Sequence, residues 1–299
     1  MTAPNKIRPH LWFDKEARMA AEFYVGVFPD SAVTSATALS DTPSGDVDSV
    51  TFELAGQPFM AISAGPYFTI NPSVSFTVHC ATAEEVDAVW AKLIDGGQAL
   101  MPLDAYPFSA RFGWVQDRFG VSWQVMLGAS PAGEAQKIVP SLMFTGQNFG
   151  KAAEAIGFYT AVFPNARAGQ VLLQPDESGT EAAGTVMTAS FALAGLWFSI
   201  MDSGYEHGFN FNESMSFMVR CETQTEIDYY WTQLSADPQA EQCGWLKDKY
   251  GLSWQIAPAA LDRMMSEGTP EQVARVTQTF LPMKKLDIAE LERAYHAAA

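Results

Sequence analysis

The chain has 299 residues, of which 48% are hydrophobic and 17% are charged, a composition typical of a globular protein with room for two cores. Its formal net charge of −16 and its pI near 4.5 argue against nucleic acid or an anionic membrane as a partner, because both are bound mainly through clustered Lys and Arg. No apolar stretch has the length of a membrane span or of a signal peptide, so a cytoplasmic location is expected.

The three cysteines predict neither a disulfide framework nor a thiolate zinc site. Cys80, Cys221 and Cys243 form no Cys-x-x-Cys pair and are odd in number. Cys80 and Cys221 fall at equivalent places in an internal repeat, which predicts a shared packing role.

The first 80 residues predict a strand, a helix and then further strands. Residues 6–13 alternate apolar and polar side chains, as a half-buried strand does, and Pro29 ends the helix that follows. Residues 50–55 and 58–64 alternate in the same way across a glycine turn, which is typical of a hairpin. Residues 73–80 predict one more strand.

A capped helix and a Gly-Trp hairpin come next. The spacing Thr82-x-x-Glu85 is a capping box, and apolar residues follow it at helical spacing. The hairpin at 113–125 reads Gly-Trp-Val-Gln-Asp-Arg-Phe-Gly-Val-Ser-Trp-Gln-Val, with a tight turn begun by Asp117. Side chains alternate after the turn, so we expect tryptophan and valine on one face of the strand and serine and glutamine on the other.

This series of elements occurs a second time. Residues 244–256 read Gly-Trp-Leu-Lys-Asp-Lys-Tyr-Gly-Leu-Ser-Trp-Gln-Ile, and Thr223-x-x-Glu226 repeats the capping box. The loop between helix and hairpin is not repeated, since it covers 94–111 in the first copy and only 235–242 in the second. A duplication of βαβββ units, two in each half of the chain, explains the pattern.

The repeat divides the chain into four segments. We predict a first module at 1–128, a linker rich in Ala, Gly and Pro at 129–136, a second module at 137–257, and a C-terminal helical extension at 258–299. The fold class is therefore α+β, with tandem βαβββ units. The helical tail is expected to pack on the sheets or on a partner.

Three features together resemble the vicinal oxygen chelate superfamily, which includes glyoxalases, bleomycin resistance proteins and dioxygenases. They are the tandem βαβββ units, the Phe-Tyr-x-x-x-Phe-Pro helix end at 23–29 and 158–164, and Asp-x-aromatic-Gly-x-Ser-Trp-Gln at 117–124 and 248–255. Within the superfamily the chain resembles the PhnB-like proteins, often labelled 3-demethylubiquinone 3-methyltransferases. The resemblance extends to the tail segment at 283–288, Met-Lys-Lys-Leu-Asp-Ile.

The resemblance implies two glyoxalase-like incomplete barrels, each formed by a pair of units with helices on the convex side and a ligand groove on the concave side. In the first half the groove would be lined by His10, Trp12, Ser73, Ser75, Thr77, His79, Ser122 and Gln124. In the second half it would be lined by Ser141, Met143, Ser214, Ser216, Met218, Arg220, Ser253 and Gln255.

The resemblance also implies where a metal would bind. Metal-dependent members take His, His or Gln, and Glu from three strands, and the matching positions here are His10, Ser73 and Gln124 in one half and Ser141, Ser214 and Gln255 in the other. Hydroxyls and a neutral amide are poor ligands for Zn²⁺, Fe²⁺ or Ni²⁺. We therefore expect no cofactor, and His10 is the single candidate ligand for a divalent metal.

Three residues are candidates for catalytic work: His10, Gln124 and Gln255. Imidazole can exchange a proton near neutral pH, and a glutamine can both donate and accept hydrogen bonds. The ligand-binding candidates are Trp12, Ser73, Ser75, Ser122, Ser214, Ser253 and Arg220. For each of them a plain structural role stays open; Arg220, for example, would either meet an anionic ligand or pair with a carboxylate of the protein.

The predicted function is PhnB-like binding of a small organic molecule in a concave β-groove without a metal. The alternatives are a divalent-metal enzyme of the glyoxalase or dioxygenase type, a methyltransferase as the family label suggests, and a non-catalytic fused-dimer scaffold. No strand-Gly-x-Gly-x-Gly-helix element for an adenosyl cofactor is visible, and whether the protein is an enzyme stays open. The expected partner is a small molecule, with neither nucleic acid nor membrane, and the fused pseudo-dimer would act as a monomer or a homodimer.

Overall fold

The computed structural model describes residues 6–42 and 45–297, which form two mixed β-sheets, four helices packed on them, and a tail of three helices. The strands are β1 Ile7–Phe13, β2 Ala32–Thr42, β3 Gly45–Leu54, β4 Gln57–Ser63, β5 Val74–Cys80, β6 Gln98–Tyr106, β7 Ser109–Gln116, β8 Ser122–Leu127, β9 Ile138–Phe144, β10 Arg167–Leu173, β11 Val186–Leu193, β12 Leu196–Asp202, β13 Met215–Cys221, β14 Trp245–Lys247 and β15 Ser253–Pro258. The helices are α1 Ala17–Val27, α2 Ala83–Leu93, α3 Ala152–Val162, α4 Gln224–Leu234, α5 Ala259–Glu267, α6 Pro270–Phe280 and α7 Ile288–His296.

The local sequence signals predicted these elements well. The opening strands, the glycine hairpins and the Gly-Trp hairpins all form where the alternation placed them. Thr82 and Thr223 cap α2 and α4, each accepting a hydrogen bond from the backbone N–H of the third helical residue. The glutamates of the two predicted boxes reach one residue further back, to the N–H groups of Ala81 and Glu222.

Each sheet combines strands from both halves of the chain. The seven-stranded sheet has the order β14-β15-β13-β1-β4-β3-β2, and the eight-stranded sheet has the order β10-β11-β12-β9-β5-β8-β7-β6. The halves meet through two antiparallel pairs, β1 with β13 and β5 with β9. The first βαβββ unit thus shares a sheet with the fourth, and the second shares a sheet with the third. We call this arrangement the exchange of units, because neither half of the chain forms a sheet of its own.

This exchange corrects the predicted grouping of the groove residues. His10 and Trp12 lie in the same sheet as Ser214 and Gln255, not with Ser73 and Gln124. The two hydrophobic alternations are alike, so β1 fits against β13 as well as it would against β5, and the side-chain pattern carries no information about which of the two it meets.

The fourth unit lacks the strand that β6 supplies in the second unit. The short loop at 235–242 leaves no chain for it, and the C-terminal tail lies beside β14 instead. The N–H groups of Cys243 and Gly244 donate to the carbonyls of Met283 and Lys284, 2.7 Å away in each case. The tail therefore continues the fold at an edge that would otherwise present unpaired backbone groups.

Helices α1 to α4 cover one face of the two sheets and form the main core with it. Trp123 and Trp254 are each 1% exposed there, which confirms that these tryptophans belong to the core. Gly113 is required by close packing, because a Cβ at this position would lie 2.4 Å from the Trp90 ring. Its copy, Gly244, has a different reason: its φ of +85° favours glycine.

Candidate functional site

The faces of the sheets that point away from α1 to α4 carry the polar residues singled out in the sequence. The eight-strand groove is defined by Ser75, Thr77, His79, Ser122, Gln124, Ser141, Met143 and Ser199. The seven-strand groove is defined by Arg8, His10, Trp12, Ser214, Ser216, Met218, Arg220, Ser253 and Gln255.

A chain of hydroxyl groups crosses the floor of the eight-strand groove. Thr77 Oγ1 lies 2.7 Å from Ser141 Oγ, which in turn bonds to Ser199 Oγ. The chain thus links β5, β9 and β12. Three hydroxyl protons serve two bonds, so one proton of the chain is free for another acceptor. Sequence reasoning found Thr77 and Ser141 but placed them in different grooves, and it missed Ser199, which β12 carries beside β9 within the third unit.

The glutamine of the same groove is held by a serine on the neighbouring strand. Gln124 Nε2 donates to Ser75 Oγ over 2.8 Å, which fixes the amide while its carbonyl oxygen keeps acceptor capacity. The second copy repeats the contact, with Gln255 Nε2 donating to Ser216 Oγ over 3.0 Å. Ser122 has a structural partner instead, since its Oγ accepts from Trp114 Nε1.

The two predicted serines at the strand entrances are buried and bond to groups of the protein. Ser73 is 3% exposed, and its carbonyl accepts from Met143 N. Ser214 is 1% exposed, and its Oγ donates to Asn212 Oδ1. Ser253 is also buried, and its Oγ has no hydrogen-bond partner. All three predicted ligand-binding serines are therefore buried in this structure.

One end of the eight-strand groove is apolar around a histidine. His79 pairs in register with Met126, which in turn lies opposite Phe112. Burial lowers the pKa of His79 to about 4, so the ring is neutral at physiological pH. Its Nδ1 is buried without a partner. This end of the groove therefore suits an uncharged group.

His10 lies at the centre of the seven-strand groove and is 1% exposed. It pairs in register with Ser216 on one side and Met60 on the other, and its ring meets the edge of Trp245 at 5.3 Å. Burial, with the neighbouring Arg8 charge, lowers the pKa of His10 to about 3. His10 Nδ1 is buried without a partner.

Trp12 takes part in an aromatic cluster beside His10 in the seven-strand groove. Its ring meets Phe68 at 5.1 Å and Trp245 at 5.9 Å, both edge-on, and its Nε1 donates to the carbonyl of Gly65. The ring is thus fixed by protein contacts. A stacking role toward a ligand stays a prediction.

The tail covers the seven-strand groove. Helix α5 contacts β15 and β2, and its Asp262 accepts hydrogen bonds from Arg8 Nη2 and Arg220 Nε. Arg220 also pairs with Glu222. Of the two roles left open for Arg220, pairing with carboxylates is the one present in this structure.

Matched residues show that the two grooves differ in access. Gln255 is 6% exposed, whereas Gln124 at the same place in the eight-strand groove is half-buried. Ala257 is buried, whereas its counterpart Met126 is half-buried. The main strand contacts of α5 and α6 are all made with the seven-stranded sheet. At Gln124 and Met126 the eight-strand groove is thus more exposed than the seven-strand groove.

The residues of neither groove fit a catalytic divalent metal. Around His10 the same face supplies hydroxyls, thioethers and the Arg8 guanidinium, and the one nearby carboxylate, Asp262, is engaged by Arg8 and Arg220. In the ranges 6–42 and 45–297 no group of three or more His, Cys, Asp and Glu is arranged to hold a metal ion. A borderline cation needs imidazole, thiolate or carboxylate donors together, which this donor set lacks.

A surface depression of about 420 Å³ lies outside both grooves, between the linker and the hairpin tips at Gly56 and Gly195. Two buried amides line it: that of Gln136 bonds to Ile138 and Trp197, whereas Nε2 and Oε1 of Gln57 have no hydrogen-bond partner. Its charged lining residue, Arg167, is exposed. The Gln57 amide is thus the unpaired buried group among its lining residues, and the grooves remain the candidates because each combines several polar side chains on one face.

Two buried carboxylates were predicted only as turn formers. Asp117 is 4% exposed and accepts from Phe119 N and Val121 N in its turn, and also from Tyr24 Oη and Trp123 Nε1 in the core. Asp248 repeats all four contacts in the second copy. Burial raises the pKa of both carboxyl groups, that of Asp248 to about 6. They lie on the helix side of the sheets, away from the grooves.

Comparison with known families accounts for the duplicated architecture. A family model described as 3-demethylubiquinone-9 3-methyltransferase matches the chain twice, at residues 5–126 and 136–257. The chain belongs to this family. Membership in the 3-demethylubiquinone-9 3-methyltransferase family confirms the resemblance stated from the two Gly-Trp hairpins and the Phe-Tyr-x-x-x-Phe-Pro helix ends.

Solved structures similar to this family member include proteins that match about half of the chain and proteins that match most of it. A putative 3-demethylubiquinone-9 3-methyltransferase, PhnB protein, from Bacillus cereus is 37% identical, covers 43% of this chain and 100% of its own, and has a TM-score of 0.38. Glyoxalase I from Zea mays is 10% identical over 84% of this chain and 92% of its own, with a TM-score of 0.52. A putative dioxygenase from Bacillus subtilis is 10% identical over 86% of each chain, with a TM-score of 0.50.

The last two likenesses concern the fold alone, and they confirm the predicted pair of glyoxalase-like incomplete barrels. A search of the curated proteins matched nothing. In the part of the chain that the structure describes, no helix is both long and apolar enough to cross a membrane.

Proposed function

We propose that this family member binds a small, uncharged organic molecule in the eight-strand groove, without a metal. The observation that carries the proposal is two anchored polar groups there. One is the half-buried Gln124 amide, and the other is the Thr77–Ser141–Ser199 hydroxyl chain, which is buried at Thr77 and Ser141 and half-buried at Ser199. Held in place by neighbours, they lose little side-chain entropy when a ligand arrives.

The chemistry of the groove selects the class of ligand. The floor offers amide and hydroxyl groups, and its one ionisable group, His79, is neutral because burial lowers its pKa to about 4. A charged ligand would lose part of its hydration in this groove without meeting an opposite charge, and this costs free energy in a partly enclosed site. A ligand with one donor, one acceptor and an apolar body fits the groups present.

The other functions weighed from the sequence find less support in these residues. Metal-dependent glyoxalase or dioxygenase chemistry lacks a donor set, and methyl transfer lacks a recognisable adenosyl cofactor element. A fused-dimer scaffold would explain a covered seven-strand groove but not the half-buried, anchored Gln124 amide of the other. Cytoplasmic location stays part of the proposal, argued from composition.

Substitution of Gln124 by the isosteric Met is expected to weaken binding of an uncharged probe about 5- to 10-fold, the value of one hydrogen bond. The probe is 4-hydroxyacetophenone, which carries both a donor and an acceptor, and binding is measured by calorimetric titration. Gln255→Met is the matched control, because Gln255 holds the same place in the covered groove and is expected to leave the affinity unchanged.

Equal weakening by both substitutions, or no binding to the unaltered protein, would contradict the proposal. S-adenosylmethionine is titrated in parallel. Binding of this cofactor at micromolar concentration would favour the methyltransferase alternative instead.

Purified protein is expected to contain no stoichiometric Zn, Fe, Ni or Mn, and His10→Ala is expected to leave its metal content unchanged. The reason is that His10 is surrounded by hydroxyls, thioethers and Arg8. Elemental analysis by mass spectrometry makes the measurement. A stoichiometric metal that disappears in His10→Ala would establish the metal-enzyme alternative.

A further inference from the structure

Asp262 of α5 enters the seven-strand groove between two arginines. Its Oδ1 lies 2.5 Å from Arg8 Nη2, and its Oδ2 lies 3.3 Å from Arg220 Nε. The Arg8 side chain is only 14% exposed, and its Nε is turned toward Met218 Sδ. A carboxylate held by two guanidinium groups from adjacent strands is the geometry of carboxylate recognition.

Helix α5 lies across the opening of the groove. It contacts β15 and β2, which are separated in the sheet by β13, β1, β4 and β3. In a flat sheet these strands would be about 24 Å apart, whereas a helix of nine residues is about 14 Å long. The sheet must therefore curl, and the helix closes the resulting groove from one wall to the other.

The arginine pair is particular to this groove. The positions equivalent to Arg8 and Arg220 in the eight-stranded sheet hold Val139 and His79. Both sheets otherwise repeat the same serine and glutamine contacts. The cationic groups are therefore an addition to the shared groove plan, at the place where the tail delivers its carboxylate.

The groove also keeps an unused polar group. His10, two residues from Arg8 on the same face, is 1% exposed, and its Nδ1 has no hydrogen-bond partner. A buried ring nitrogen without a partner loses its bond to water and regains nothing. This orphaned atom is independent of the arginine pair and likewise indicates a face built to receive a polar ligand.

The tail has its own small core. Met264, Val276, Leu286 and Leu291 form a cluster separate from the main one. Met264 of helix α5 thus packs in the cluster of the tail and not in the core under α1 to α4. We propose that the seven-strand groove is a binding site for a small carboxylate, and that Asp262 of the tail occupies its carboxylate subsite as an internal ligand.

This second site is independent of the function proposed for the eight-strand groove. Because Asp262 is tethered, its effective concentration at the arginines is on the order of millimolar or higher. A free monocarboxylate as small as acetate competes with it only above that concentration in the unaltered protein. Removal of the internal carboxylate should expose the subsite.

The test is rescue of full-length Asp262→Ala by acetate, followed by thermal unfolding. The substitution leaves Arg8 without its carboxylate partner and Arg220 with Glu222 alone, and the melting temperature is expected to fall by about 2–5 °C. Sodium acetate is expected to restore at least half of that loss in a saturable manner. Acetamide and ionic-strength-matched sodium chloride are expected to restore none of it beyond their effect on the unaltered protein.

The triple variant Arg8→Gln, Arg220→Gln, Asp262→Ala supplies the control, since acetate should not stabilise it. If Asp262→Ala does not fold, the same titration on Asp262→Asn decides, because asparagine keeps the shape and removes the charge. Acetate effects equal to those of chloride, or retained when both arginines are gone, overturn the proposal.

Discussion

Replacement of Asp117 or Asp248 by alanine is expected to lower the free energy of unfolding by about 3–5 kcal/mol. Each carboxylate accepts two backbone N–H groups, an indole N–H and a phenol O–H, all in the core. Truncation would leave several of these donors buried and unpaired. Urea unfolding of the two variants makes the measurement.

The reason for so large an effect is that each carboxylate joins three elements. Tyr24 comes from α1, Trp123 from β8, and the two backbone donors from the turn between β7 and β8. Burial raises the pKa of the Asp117 carboxyl, and its four hydrogen-bond donors act in the opposite direction by stabilising the charge. The helix, the turn and the last strand are thus fixed by one side chain.

Three variants test whether the buried carboxylates stabilise the fold through these hydrogen bonds. Asp95→Ala removes an exposed carboxylate that pairs with Arg118, and about 0.5 kcal/mol or less is expected. Asp117→Asn and Asp248→Asn keep the size of the side chain but direct an NH₂ group toward a donor, so they should recover only part of the loss. If asparagine is fully tolerated in both copies, the carboxylates are turn formers and nothing more.

The role of these carboxylates was accessible to sequence reasoning only in retrospect. A turn of the type Asp-x-aromatic-Gly occurs in many hairpins, and nothing local places its aspartate in the core. The informative signal is the joint repetition of Tyr24 with Tyr159 and of Trp123 with Trp254, since buried phenol and indole groups need acceptors. The repeated aspartate was the acceptor.

Strands, helices and their faces followed from the sequence because alternation and capping are local signals. The exchange of units did not follow, since β1 presents the same alternation to β13 as it would to β5. The covering of one groove by the tail depends on that exchange. Asp262, Arg8 and Arg220 come from three distant segments, and only the fold brings them together.

The two grooves of the duplicated chain share their strand arrangement but differ in their polar and charged groups. Both keep a glutamine anchored by a serine, but one adds two arginines and a covering helix, and the other adds a hydroxyl chain and an apolar end. A homodimer would have to carry both features in both grooves. Fusion removes that constraint, because a substitution in one copy no longer appears in the other.

Acidification is expected to weaken the fold through His10. Burial and the Arg8 charge lower its pKa from 6.5 to about 3 in the folded protein. Below pH 6.5 the unfolded chain therefore binds a proton that the folded chain does not. The stability that the neutral ring contributes is complete above pH 6.5 and is lost as the pH falls toward 3, by about 1.4 kcal/mol per pH unit.

The variant His10→Phe isolates this contribution, because it keeps a ring against Trp245 and removes the titrating nitrogens. Between about pH 7 and about pH 4.5, the unfolding free energy of the unaltered protein should fall by about 2–3 kcal/mol more than that of His10→Phe. Other groups, including His79, titrate in both proteins and cancel in the comparison. His296→Phe, at an exposed position in α7, should unfold in parallel with the unaltered protein across this range. A difference between the unaltered protein and His10→Phe that does not change with pH would show that His10 is protonated without cost, and that the seven-strand groove admits water at its centre.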